Sequence, residues 1–171
     1  MLSETSRGTW FAVRVRSNFE RATAQSLDVR GISCFLPMYK VRRQWSDRVK
    51  VVDLPLFTGY VFCQISERRF LPLLETPGVV QVVGNGPSPV PVEDHEMAAL
   101  HRIAGSGQET MPWPYLTAGQ RVRLRTGALK DVEGILANVE GRNRVIVNIE
   151  LLQRAVAVSV DRLDLEPVWP Q

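Results

Sequence analysis

Residues 54–65, Leu54-Pro55-Leu56-Phe57-Thr58-Gly59-Tyr60-Val61-Phe62-Cys63-Gln64-Ile65, form the most apolar stretch of the chain. Aromatic and β-branched residues dominate it, which suits a central strand. Gly59 permits a bulge or a close backbone approach within it. Side chains alternate along a strand, so Tyr60 and Phe62 share one face. One face of the strand has to be core. From periodicity alone, Tyr60 and Phe62 are either core residues or an apolar docking surface of the aromatic kind that interfaces favour.

Upstream, residues 10–16 (WFAVRVR) alternate, with Phe11, Val13 and Val15 on one face and Arg14 and Arg16 on the other. That is a half-buried strand. Ser17 or Asn18 is placed to cap a following helix, along which Phe19, Thr23 and Leu27 stack and which Gly31 stops. Ile32–Leu36 reads as a second strand. Residues 39–52 (YKVRRQWSDRVKVV) form two runs around Ser46-Asp47, as in a basic β-hairpin. Downstream, a short helix over 67–75, a turn at Thr76-Pro77-Gly78, a strand Val79–Val83, a loop Asn85–Pro89 and a helix over 93–103 are expected. These elements give residues 1–104 an α+β reading, a sheet with helices packed on it.

The composition then shifts. Residues 105–116 (GSGQETMPWPYL) combine glycine, polar residues and prolines without a period, which is a linker signature. From 117 to 171, strands recur at 120–125, 132–139, 144–149, 154–160 and 163–166, with turn signals between them. Five short strands at this spacing indicate a small β-barrel.

The chain has 171 residues, 44% of them apolar, enough for two small domains with buried cores. Its net charge of +3 is unevenly spread. Arg14, Arg16, Arg21, Arg30, Lys40, Arg42, Arg43, Arg48 and Lys50 crowd residues 14–50, opposed there only by Glu20, Asp28 and Asp47, whereas residues 105–171 balance basic against acidic. A basic first third suggests a surface facing an anion such as nucleic acid, although a modest solvated excess would look the same. Met1–Gly8 lacks the apolar centre of a signal peptide, and no run approaches the ~20 apolar residues of a membrane helix. A cytoplasmic monomer without a membrane partner is expected.

Nothing in the chain assembles into catalytic chemistry. Neither phosphate-cradling glycine loop nor a nucleophile elbow is present. Cys34 and Cys63 lie far apart in strand-like segments and read as two buried free thiols; His95 and His101 read as solvated helix residues. No enzyme, metal site or cofactor is expected.

These pieces resemble, in order and across nearly the whole chain, the NusG family of bacterial transcription factors. WFAVRVRSNFE resembles the start of the family's N-terminal (NGN) domain, and LPLFTGYVF its phenylalanine-proline-glycine-tyrosine strand motif. TPGVVQVVG with PVPVEDHEMAAL resembles that domain's end. LTAGQRVRLRTGALKDVEGIL looks like a KOW motif, and IELLQRAVAVSV like the strand closing its SH3-like barrel. The stretch CFLPMYKVRRQWSDRVKVVDLPLF is similar to specialised paralogues of the RfaH and UpxY type, which act on selected long operons.

The resemblance implies an NGN domain over 1–104, a linker over 105–116 and a five-stranded KOW domain over 117–171. It implies docking on the clamp helices of the RNA polymerase β′ subunit through Phe57, Tyr60, Phe62 and Val82, with Arg14 at the edge. Contact with the non-template DNA strand falls on Arg16, Arg21, Arg42, Arg43 and Arg48. A second partner, the ribosomal protein NusE or Rho, maps to Leu129, Val132, Leu151, Leu152 and Arg154, aliphatic where NusG uses aromatics. Gly127 and Gly134 bracket the KOW turn. RfaH can refold its second domain as helices; here the β-branched alternation at Val145–Ile149 and Val156–Val160 predicts a stable barrel. Two alternatives stay open, a housekeeping NusG coupled to Rho and a KOW-containing ribosome-associated RNA-binding protein.

Overall fold

A computed structural model describes residues 8–66 and 70–169. In chain order the elements are β1 (Thr9–Val15), α1 (Glu20–Val29), β2 (Ser33–Phe35), β3 (Met38–Gln44), β4 (Val49–Pro55), β5 (Tyr60–Ile65) and α2 (Phe70–Leu74). Then follow β6 (Val79–Val82), β7 (Gly84–Asn85), β8 (Ser88–Pro89), α3 (Asp94–Gly105) and β9 (Thr110–Pro114). The last strands are β10 (Gln120–Leu124), β11 (Glu133–Val139), β12 (Arg142–Ile149), β13 (Arg154–Ser159) and β14 (Leu165–Pro167). The chain divides into two compact units.

The first unit joins the chain up to Leu36 with Phe57–Asp94. Its four-stranded antiparallel sheet runs β2-β5-β1-β6. The alternation of β1 buries Phe11, Val13 and Val15, and these pack with Val61, Cys63 and Ile65 of β5, Leu27 of α1 and Leu73 of α2. One face of the sheet is therefore the helix-covered core. Neither Ser17 nor Asn18 caps α1: Phe19 holds the cap position without a side-chain bond, and Asn18 takes a left-handed conformation (φ 68). The negative charge at the positive end of α1 is instead Glu20. The apolar run 54–65 is not one strand. Leu54 and Pro55 end β4, and a turn closed by Tyr60 N–H donating to the Phe57 carbonyl (3.1 Å) separates them from β5. Gly59 supplies the left-handed residue of that turn (φ 83). The expected loop Asn85–Pro89 contains the small β7–β8 hairpin. Of the helix expected over 67–75, residues 67–69 lie outside the described residues, and the rest contains α2.

The second unit joins Pro37–Leu56 with the chain from His95 onward. It holds the β3–β4 hairpin, nearly all of α3, and a six-stranded antiparallel sheet in the order β14-β10-β11-β12-β13-β9. The five expected barrel strands are present as β10 to β14. The sixth, β9, lies inside the segment read as linker, where Met111 and Trp113 pack against Ile146, Ala155 and Ala157. Asn148 then clamps Leu116 from both sides, accepting from its N–H (3.2 Å) and donating to its carbonyl (2.7 Å). Only residues 106–109 of that segment are irregular before β9 begins.

His95 and His101 are exposed, as expected. Both cysteines are free, Cys63 buried and Cys34 half-buried. Among the described residues there is no helix long and apolar enough to cross a membrane, and no cluster of side chains that could hold a metal ion.

Candidate functional site

The candidate residues form three groups, and the fold treats each differently. In the first unit, register settles which residues share a face. Cross-strand partners lie on the same side of a sheet. Ala12 pairs with Phe62 and Arg14 with Tyr60, so these four occupy the face opposite the helix-covered core. Phe35, opposite Phe62 on β2, joins them.

Aromatic packing organises this second face. Phe57 meets Phe62 edge-on at 5.4 Å between ring centroids, and Phe35 lies tilted at 6.5 Å from Phe62. Phe57 and Phe62 are fully buried (1% and 0% exposed), whereas Tyr60 is half-buried and Arg14 exposed. Phe57 and Phe62 therefore support the face from within, and Tyr60 and Arg14 present it. Val82 does not belong to it. The β1–β6 pairing sets Val82 opposite Val13, packed against the helix-side core, and the exposed Gln81 opposite Arg14; the register shifts just beyond, where Val15 pairs with Val79. The β1–β6 register has no signal in the sequence, and Gln81 is not recognisable there for that reason.

Sequence reasoning also misses Glu20. It is buried (4% exposed), and its Oε1 accepts the N–H of Gly59 at 2.9 Å. The carboxylate ties the start of α1 to the turn that immediately precedes Tyr60. The Val15 N–H, donating to the Gly59 carbonyl (2.9 Å), holds the other side of that residue. Glu20→Ala leaves the Gly59 N–H without its acceptor, and we expect a loss of about 1–3 kcal/mol in urea denaturation. Glu20→Gln keeps an acceptor oxygen and should lose less than half of that; an equal loss in both variants would show that the hydrogen bond is not what matters.

The basic candidates fall in different units. Arg16 and Arg21 belong to the first, just after β1 and on α1, and both are exposed. Arg42, Arg43 and Arg48 belong to the β3–β4 hairpin. Arg42 pairs with Val51 and Arg43 with Lys50, so the two arginines point to opposite faces of the ribbon. Lys40 is offset by Asp53 across the strand (3.4 Å). Arg43 faces Lys50 instead, and like charges directly opposite are destabilising. The turn is closed by Trp45 N–H donating to the Arg48 carbonyl (2.8 Å), and Trp45 is 56% exposed. An exposed tryptophan flanked by arginines at a ribbon tip is an arrangement that stacks on bases while the cations meet phosphates. Charge alone draws attention to the hairpin in the sequence, and Trp45 carries none.

In the second unit, Leu129 and Val132 are buried (5% and 3% exposed), as part of a turn in which the Val132 N–H donates to the Leu129 carbonyl (3.0 Å). They are core residues there, not surface. Leu151 and Leu152 are half-buried in a 3-10 turn, and Arg154, at the start of β13, is exposed. Helix α3 reaches both segments: Arg102 Nη1 donates to the Lys130 carbonyl, and Glu96 Oε1 accepts the Glu150 N–H (3.0 Å). Gly127 takes a left-handed conformation (φ 79), while Gly134 sits on β11 in close approach to β12.

A sequence model of the family described as "Transcription termination factor nusG" matches residues 8–101, more than half of the chain. The transcription termination/antitermination protein NusG of Yersinia pestis is 25% identical over 179 aligned positions, covering 96% of this chain and 99% of that protein. The protein of the same description from Escherichia coli K12 is 24% identical, with 96% and 99% covered. Among solved structures, one described as "Domain interaction in Thermotoga maritima NusG" aligns with a TM-score of 0.59 at 21% identity, covering 95% of this chain and 98% of that one. That likeness bears on the fold alone.

Proposed function

The chain belongs to the NusG family, whose members are transcription factors and not enzymes, and from that premise we propose that it is an elongation and antitermination factor that joins RNA polymerase to a second partner. The first unit docks the paired clamp helices of the polymerase β′ subunit on the Tyr60 face. Arg14 and Gln81 rim the contact, and the buried Phe57–Phe62 pair lies beneath the same face. The observation that carries this reading is the sheet face opposite α1 and α2, where half-buried Tyr60 and exposed Arg14 stand beside the buried Phe57–Phe62 pair. No bond is made or broken. The factor acts by binding one polymerase conformation, the closed elongating clamp, more tightly than others.

The hairpin contacts the exposed non-template DNA strand, with Trp45 stacking on a base and Arg42, Arg43 and Arg48 meeting phosphates. The repulsion between Arg43 and Lys50 is relieved when an anion lies between them. In the barrel, Leu151, Leu152 and Arg154 face the second partner, NusE or Rho. Because those leucines are aliphatic where NusG uses aromatics, and because the segment 34–57 is similar to RfaH and UpxY proteins, we read the chain as a specialised paralogue acting on selected operons.

Capture of purified chain by an immobilised β′ clamp-helix fragment tests the docking; no capture at micromolar concentrations sinks it. Chromatin immunoprecipitation tests specialisation, which predicts occupancy confined to a few long operons, whereas signal on all transcribed genes would assign a housekeeping role. For the hairpin, Trp45→Ala should weaken binding of a fluorescent single-stranded oligonucleotide by at least ~5-fold, since stacking contributes about 1–3 kcal/mol per base. Trp45→Phe should restore most of it. Arg43→Ala should flatten the salt dependence of that binding, because one phosphate contact and its released counterion are lost. If both hairpin variants bind as the parent does in anisotropy titrations, the DNA contact lies elsewhere.

A further inference from the structure

Nothing in the proposed function uses the two cysteines, yet the sheet sets them side by side. Twenty-nine residues apart in sequence, Cys34 and Cys63 are direct register partners on adjacent antiparallel strands β2 and β5. Their Sγ atoms lie 3.5 Å apart. Cys34 sits on the three-residue edge strand and is half-buried, so small solutes reach it; Cys63, on a central strand, is buried. We propose that this pair is an oxidative modification site, a dithiol that a hydroperoxide converts into a reversible disulfide fastening edge strand β2 to β5.

The chemistry divides between the two sulfurs. The Cys34 thiol gives up its proton, and the thiolate attacks one peroxide oxygen. The O–O bond breaks, and the departing oxygen takes up a proton as water or alcohol, leaving Cys34 as a sulfenic acid. The Cys63 sulfur then attacks the Cys34 sulfur. The S–O bond breaks, and the leaving hydroxide combines with the Cys63 proton as water. Two thiols and one hydroperoxide become one disulfide, one water and a second water or alcohol; the sulfurs are oxidised and the peroxide oxygens reduced.

The surroundings favour these roles. A hydrogen bond from Cys63 holds the Cys34 thiol below the ordinary cysteine range, against the opposing influence of burial and of the Asp28 carboxylate. The same bond, with burial, pushes the Cys63 thiol up. The more exposed partner is thus the better thiolate and the attacking group, and the buried one resolves the sulfenic acid. To bond, the sulfurs must close by about 1.5 Å, within reach of side-chain rotation. Directly opposed residues on antiparallel strands hold their Cβ atoms about 4.5–5.5 Å apart. The lower end of that range meets the Cβ separations of up to ~4.5 Å that disulfides span. The pair faces the helix-side core, one residue from the Phe35–Phe62 contact on the opposite face.

The test uses the intact chain treated with hydrogen peroxide. On denaturation after the treatment, both thiols should prove unavailable to alkylation together, the mass should have fallen by two hydrogens, and digestion should yield one peptide joining Cys34 to Cys63. Dithiothreitol should restore both thiols. In Cys63→Ser, dimedone should trap a sulfenic acid on Cys34. The proposal is overturned if, after peroxide treatment of the folded chain, denaturation leaves both thiols alkylatable, or if Cys34 is carried to the sulfinic or sulfonic acid with Cys63 still reduced. Cross-linking of two chains instead of one would overturn it as well. The mapping on the parent chain decides the matter even if the Cys63 variant fails to fold.

Discussion

Phe62→Ala is expected to cost about 3–5 kcal/mol of stability, and Tyr60→Ala to leave the fold standing while weakening clamp-helix binding by roughly 30-fold. The two residues are two positions apart on the same strand and the same face, so a sequence-based expectation treats them alike. Burial separates them. Phe62 is fully enclosed, with Phe57 edge-on and Phe35 tilted against it, and its removal leaves a cavity lined by rings that β-sheet geometry prevents from collapsing. Tyr60 is half-buried, and its backbone place is held independently by the Phe57 carbonyl and, through Gly59, by Glu20. Truncating it removes contact area on the presented side and little of the core. Urea denaturation measures the first effect, and titration of the clamp-helix fragment measures the second. A Tyr60→Ala variant that binds unchanged places the docking surface elsewhere; one that unfolds shows that Tyr60 belongs to the core.

Much of this architecture is legible in the sequence because alternation and punctuation agree. WFAVRVR gives β1, Gly31 ends α1's segment, the Ser46-Asp47 signal falls in the β3–β4 turn, and the β-branched runs of 144–149 and 154–160 contain most of β12 and β13. The failures share a cause, which is that pairing between distant strands is not written in local pattern. Residues 110–114 read as linker because Pro112 and Pro114 break any strand propensity. Both are tolerated because β9 lies at the edge of its sheet, where a missing N–H need not leave a ladder bond unmade. The apolar run 54–65 reads as one strand because nothing marks the turn except Gly59, whose left-handed backbone separates β4 from β5. The family resemblance puts Val82 in the docking face; the β1–β6 register sets it opposite Val13 on the core side and Gln81 opposite Arg14. The thiol pair is invisible for the same reason, since only the β2–β5 register brings Cys34 to Cys63. In the sequence Glu20 stands out only as one of the few acids among basic residues, because a buried acceptor is recognisable only once its donor, the Gly59 N–H, is in place.

Gly134→Ala should destabilise the six-stranded sheet by about 3 kcal/mol, at the upper end of what overpacking costs, because the obstruction is backbone. A Cβ there would run into the Ile146 carbonyl oxygen and stand 2.6 Å from Val145 Cγ1 and 3.0 Å from the Ile146 carbonyl carbon. Val145 could turn its side chain away. The Ile146 peptide cannot, because β12 is paired with β11 through Ile135 opposite Ile146 and with β13 through Ile146 opposite Ala157. Relief requires β11 to lift from β12 where its pairing begins. Gly127 provides the control. It is left-handed (φ 79), and a Cβ on it would meet nothing within 4 Å. Gly127→Ala should therefore lose only the conformational contribution, about 1–2 kcal/mol. Far-ultraviolet circular dichroism during urea unfolding distinguishes the cases. Equal midpoints in the two variants would mean that the close approach of β11 to β12 is not what requires Gly134. The spectrum of Gly134→Ala before unfolding tests the barrel's commitment to strands. The β-branched residues of β12 and β13 disfavour a helix, so a weakened sheet should melt to coil. A gain of helical signal instead would show that this barrel has a helical alternative, contrary to the reading of its sequence.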